Sequence, residues 1–87
     1  MNMPTGTAPP PGPLSRAVSA EVRVAMVRRR VSGAELARKT GRSQSYIAKR
    51  LRDDASFTAN DVEDICRALG VDLLALVVAA VEASRRP

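Results

Sequence analysis

The chain has no histidine and no tryptophan, one cysteine, and only two aromatic residues, Tyr46 and Phe57, among its 87 residues. Each shortage closes off a class of function. A structural zinc site takes about four Cys or His ligands, so zinc fingers are excluded. A lone cysteine forms no intrachain disulfide, and Cys66, set on an apolar helical face with Val62, Ile65 and Leu69, reads as a small buried hydrophobe. Without histidine, paired carboxylates or an activated nucleophile, neither an enzyme nor a cofactor is expected. Two aromatics give almost no platform for stacking single-stranded bases, and no segment alternates with period two as an RNA-recognition sheet would. The longest apolar run, LLALVVAAV, is much shorter than the roughly 20 residues of a bilayer span, so no membrane partner is expected. No small-molecule ligand is evident.

Residues 1–13, MNMPTGTAPPPGP, lack the positive segment and apolar core of a secretory signal, and a cytoplasmic location is expected. Their Pro-, Gly- and Thr-rich composition reads as a disordered or polyproline tail. Residues 14–84 are then expected to form one small all-α domain, with 85–87 as a C-terminal tail.

What is present is helical punctuation. Leu14, Val18, Val22 and Met26, with Ala25 beside them, make an apolar stripe that predicts a first helix from about Ser15 to Arg30. Ser32 followed by Glu35 is a capping box, Val31 and Leu36 a hydrophobic staple, and Gly41 a C-terminal stop, which together predict a short second helix. Ser43 is the N-cap of a third helix that carries Ile47 and Leu51 one turn apart on its buried side. Two short helices joined by a glycine turn, with the small Ala37 where they cross, describe a helix-turn-helix. Phe57, Thr58, Asp61 and Val62 repeat the staple and capping box for a fourth helix that ends at Gly70. Capping, rather than phosphate binding, is the expected role of that start, because Asp61 and Asp64 would repel an anion near Asn60. A fifth helix begins at Asp72, with Val71 and Leu76 as its staple.

The third helix carries the chemistry. With Ile47 inward and about 100° per residue, Ser45, Lys49 and Arg52 fall on the opposite side and Gln44 on the exposed first turn. Gln pairs with adenine, Lys and Arg with guanine, and Ser with either. Gln44, Ser45 and Lys49 are the expected base readers, and Arg42, Tyr46, Arg38, Arg50 and Arg52 the expected phosphate or flanking contacts. Polar residues at a helix start are common, but the charge distribution adds weight. From Arg16 to Arg52 eleven basic residues face only Glu21 and Glu35, whereas from Asp53 onward three arginines face seven acids. The helix-turn-helix lies in the basic half, so the chain's electric field is oriented toward a polyanion.

The fifth helix is apolar all round. A terminal helix on a small domain buries one face against its own core, so a face drawn from Leu73, Leu74, Val77, Val78 and Val81 is expected to be exposed in a monomer and to form a homodimer.

On these residues the segment from about Val22 to Val81 resembles the Cro/C1-type (lambda-repressor-like) helix-turn-helix family. The resemblance rests on Glu35-Leu36-Ala37, Thr40-Gly41, Ser43-Gln44-Ser45-Tyr46-Ile47 and the Ala68-Leu69-Gly70-Val71 exit of the fourth helix. It implies a compact five-helix domain that binds double-stranded operator DNA as a dimer, with Gln44, Ser45 and Lys49 at base-reading positions. It also implies a regulator of phage, prophage or actinobacterial type, acting in a bacterial or phage-infected cell. Three positions depart from the pattern. Gly33 stands where the family often has a bracing Gln, Arg42 where an apolar residue commonly follows the turn, and Arg50 where a third apolar residue of the reading helix is usual. Arg42 is then a candidate replacement phosphate anchor, and Leu51 a candidate to fill the apolar gap. The reading is a non-enzymatic transcriptional repressor. A DNA-binding antitoxin of a toxin–antitoxin pair and a protein-interaction adaptor that keeps the fold are the alternatives.

Overall fold

The computed structural model describes residues 9–87. The expected tail falls largely on residues 1–8, outside the described residues. Five helices follow in order: α1 (Pro13–Arg29), α2 (Gly33–Thr40), α3 (Gln44–Leu51), α4 (Ala59–Leu69) and α5 (Leu73–Ser84). Among the described residues there is no strand. α1 starts two residues before the position read from the sequence, because Pro13 at the first helical position brings a φ already suited to a helix and lacks only an N–H that would be unsatisfied there. It also stops at Arg29, one residue early, where Arg30 turns left-handed at φ 55°.

The other helix starts are set by the local signals in the sequence. The Ser32 hydroxyl accepts from the Glu35 amide at 3.1 Å, and the Glu35 side chain accepts in return from the Ser32 amide. Ser43 accepts from Tyr46 N–H at 3.1 Å and Asp72 from Ala75 N–H at 2.8 Å. Thr58 and Asp61 form the second capping box. Each such cap is worth about 1 kcal/mol, enough to fix where a two-turn helix begins. Gly41 and Gly70 end α2 and α4 at φ 69° and 67°, where a side chain would strain the backbone.

The core lies where all five helices meet. Val22, Ala25 and Met26 of α1, Leu36 and Ala37 of α2, Ile47 of α3, Ile65, Cys66 and Leu69 of α4 and Leu76 of α5 form one buried cluster. Fully burying each of the larger aliphatic side chains contributes about 1.5–3 kcal/mol. α1 packs most extensively on α5, while α2 and α3 pack on each other and α2 on α4. Leu14, placed on the inner stripe from the sequence, is instead nearly half exposed, at the mouth of a groove between α1, α4 and α5. Cys66 is buried as expected, and burial, then Asp72, pushes its thiol up from the ordinary value. Among the described residues no helix is long and apolar enough to cross a membrane.

Candidate nucleic-acid interface

α2 and α3 present the expected helix-turn-helix. Ala37 is small enough to be buried at the crossing, Gly41 turns the chain, and Ile47 is fully buried beneath α3. With that side of α3 committed to the core, Gln44, Ser45 and Lys49 are all solvent-exposed. None of the three side chains makes a hydrogen bond or ion pair within the described residues. Their donors and acceptors remain available, on a helix held rigidly from behind. Gly33 leaves the α2 start open: a Cβ there would stand 4.0 Å from the Leu51 Cδ1 atom. Leu51 is half-buried and packs against the core.

The expected phosphate and flanking residues separate into two groups. Arg38 and Arg52 are exposed, Arg52 in an ion pair with Asp54 that is itself open to solvent. Such surface pairs are worth little and yield readily to a phosphate. Arg42, Tyr46 and Arg50 are instead drawn against α4. Arg42 Nε donates to Asp61 Oδ1 at 2.7 Å, its Nη2 to Asp64 Oδ2 at 2.9 Å, and its Nη1 to the Thr40 carbonyl at 2.7 Å. The Tyr46 hydroxyl donates to Asp61 Oδ2 at 2.7 Å. The Arg50 guanidinium stacks on the Tyr46 ring at 3.4 Å and donates through Nη1 to the Tyr46 carbonyl at 3.1 Å. Its Nε lies 4.0 Å from Asp61 Oδ2, buried and without a hydrogen-bond partner.

Asp61 is the centre of this arrangement, only 2% exposed although fully polar. Burial alone would push its carboxyl up. The Thr58 amide, the Tyr46 hydroxyl and the Arg42 guanidinium outweigh that and hold it below the usual carboxylate range. Burial likewise works against the charge of Arg42, but bonds to Asp64 and Asp61 raise its pKa further. The bond to Asp61, then burial, pushes the Tyr46 phenol up. The charges here are therefore locked on, and a charge taken out of water persists only with such partners.

Sequence reading assigned Asp61 to capping, which it performs, and missed its second task. A signal existed: Asp61 precedes Ile65 and Leu69 by four and eight residues, on the buried stripe of α4. An acid in that register needs partners from another element. A second polar tie was also missed. Ser19, buried on α1, donates to Asp53 Oδ1 at 2.6 Å, and Arg23 donates to the Leu51 carbonyl, so the end of α3 is fastened to α1. These contacts hold Asp53 at φ 62°, where it serves as the turn that glycine provides after α2 and α4.

On the far side, α5 buries Leu76 and Ala80 and leaves Leu73, Leu74 and Val78 exposed, Leu74 by 70%; Val77 and Val81 are half-buried. Leu73 and Val77 line a groove of about 400 Å³ that Leu14 and Val18 complete from α1. α1 has an outer apolar pair of its own, Val24 and Val27. Among the described residues no cluster of His, Cys, Asp or Glu could hold a metal.

Residues 17–79 match the family model of a helix-turn-helix domain, nearly three-quarters of the chain. No curated protein matches it significantly. Several solved structures share the fold. The clp gene regulator ClgR from C. glutamicum superposes with a TM-score of 0.74 at 22% identity, over 83% of this chain and 94% of that one. A point mutant of the restriction-modification controller protein C.Esp1396I gives 0.75 at 20% identity, over 86% of this chain and all of the other. A hypothetical transcription factor, NHTF, from Neisseria gives 0.68 at 26% identity, over 82% and 84%. All three are named as regulators, and none as an enzyme.

Proposed function

We propose that this chain, which belongs to the helix-turn-helix domain family, is a sequence-specific transcriptional regulator that reads double-stranded DNA by placing α3 in the major groove. The observation that carries this reading is the bare outer face of α3. Gln44, Ser45 and Lys49 stand exposed and unpaired on a helix whose inner residue, Ile47, is fully buried. Gln44 suits adenine, Lys49 guanine, and Ser45 either base. Arg38 and Arg52, exposed at the ends of α2 and α3, fix the register on phosphate and carry no sequence information.

The regulator acts as a homodimer through the apolar face of α5, with Leu73, Leu74 and Val78 at its centre and Val77 and Val81 at its edge. The support is exposed apolar surface on a helix otherwise packed to α1. Two copies then read half-sites about one helical turn apart. Such a dimer represses by covering a promoter, in the manner of a phage or prophage repressor or Cro protein. Footprinting on the DNA that flanks the chain's own coding region tests this directly. A protected, two-fold symmetric site that resists competition by random duplex is expected. Equal competition by random and flanking DNA would remove sequence-specific reading.

A further inference from the structure

Two cations, Arg42 and Arg50, lie on or beside the shoulder of α3 that faces α4, and both are largely withheld from solvent. On a wheel of about 100° per residue, Lys49 lies on the outer face, while Arg50 lies about 100° around from it, toward Tyr46. Arg42 immediately precedes the N-cap Ser43, at the end of α3 that enters a groove. Both arginines would reach a DNA backbone if they were free. Neither is: Arg42 is tied to Asp61 and Asp64, and Arg50 is laid over the Tyr46 ring whose hydroxyl is bonded to Asp61. The side chains of Arg42 and Arg50 are only 18% and 19% exposed.

We infer that Asp61 is a specificity-determining positioning residue: from α4 it holds Arg42 and Arg50 away from the DNA backbone and leaves recognition to the outer face of α3. The inference rests on the DNA-reading function proposed above. Its physical basis is that phosphate contacts strengthen binding to every sequence alike, while base contacts discriminate. A small domain with eleven basic residues before its acidic half is at risk of binding any duplex tightly. A buried carboxylate that pairs with one cation, and through Tyr46 holds a second in place, lowers that background without touching a base. The orphaned Arg50 Nε, 4.0 Å from Asp61, fits the same reading. Arg50 is held by the Tyr46 ring, by the Tyr46 carbonyl and by the field of Asp61, with no direct bond to that carboxylate.

The test is the salt dependence of binding to a random-sequence duplex. Asp61→Asn preserves shape and capping geometry but removes the charge. Glu63→Gln, on an exposed neighbouring position of α4, makes the same change in net charge without freeing an arginine. Asp61→Asn is expected to steepen the log K against log salt slope by about one to two units, at about 0.9 per freed arginine, and to tighten random-duplex binding several-fold at low salt. Glu63→Gln should leave the slope near that of the native chain, and adding Arg42→Gln to Asp61→Asn should take back about one unit. Equal slopes for Asp61→Asn and Glu63→Gln would overturn the inference. So would a flattening by about one unit when Arg42→Gln or Arg50→Gln is made alone, since the native residue would then already be on phosphate. These single arginine variants decide the matter even if Asp61→Asn fails to fold by circular dichroism. Native protein with no salt-dependent duplex binding would instead remove the DNA-reading function itself, and the inference with it.

Discussion

α3 and α5 share one core and differ in what they show to the outside. α3 buries Ile47 and presents Gln44, Ser45 and Lys49; α5 buries Leu76 and Ala80 and presents Leu73, Leu74 and Val78. In a domain this small each helix has one face to give the core, so its other face is free to be chosen for a partner. A polar outer face rests comfortably in water and releases that water only to a surface that matches its hydrogen bonds. An apolar outer face is unfavourable in water by about 25 cal/mol per Å² and is relieved by any surface of fitting shape. One helix is thereby suited to a partner that matches its hydrogen bonds and the other to any apolar surface of complementary shape.

The comparison breaks most severely at its common support. Ile47→Ala removes a fully buried side chain beneath α3 and should destabilise the fold by about 2–5 kcal/mol, read as a lower urea midpoint, with both outer faces lost together. Next comes Val78→Asp, which puts a charge into the exposed apolar face of α5. Sedimentation should then show monomers with unchanged helicity; a dimer that persists would place the contact elsewhere, with Val24 and Val27 of α1 the remaining apolar pair. On the other helix, Gln44→Ala should weaken discrimination at one base position by about 1–3 kcal/mol while leaving random-duplex affinity alone. An equal loss on specific and random DNA would remove its reading role.

Acid separates the two helices more gently. The folded-state pKa of Asp61 lies below its ordinary value, so its contribution to stability is fully present above that ordinary value and is lost as pH falls through the depressed one. Arg42, Tyr46 and Arg50 of the helix-turn-helix and the Thr58 amide are the groups that face it. Urea unfolding followed from pH 5 downward should show that loss in the native chain, and Asp61→Asn should lack that component. The smallest effect belongs to Arg30→Gly. Arg30 sits at φ 55°, and relieving a left-handed side chain offsets the entropy that glycine adds to the unfolded state, for a net gain of at most about 1 kcal/mol. It lies outside both α3 and α5, so an altered dimer or altered base preference in that variant would show that the two faces are not independent.

The local rules read from the sequence hold where the interaction spans three or four residues. Ser32, Ser43, Thr58 and Asp72 all cap the helices expected of them, and Gly41 and Gly70 both end theirs. The exposure of Gln44, Ser45 and Lys49 on α3 follows from its period once Ile47 is turned inward. The start of α1 at Pro13 was hidden by a composition that looked like tail, although proline at a first helical position is favoured. The pairing of Arg42 with Asp61 spans 19 residues, and that of Ser19 with Asp53 spans 34, so no local pattern contains them.

By itself the sequence determined the helices, their limits within a residue or two, the all-α class and the outer face of α3, because caps, glycine stops and apolar periodicity act between near neighbours. Only the tertiary structure decided which arginines are free. Arg42, Arg50 and Arg52 look alike in the chain. Packing α3 against α4 brings two of them to a buried carboxylate and leaves the third in solvent, since a charge taken out of water must be matched by whatever the fold sets beside it.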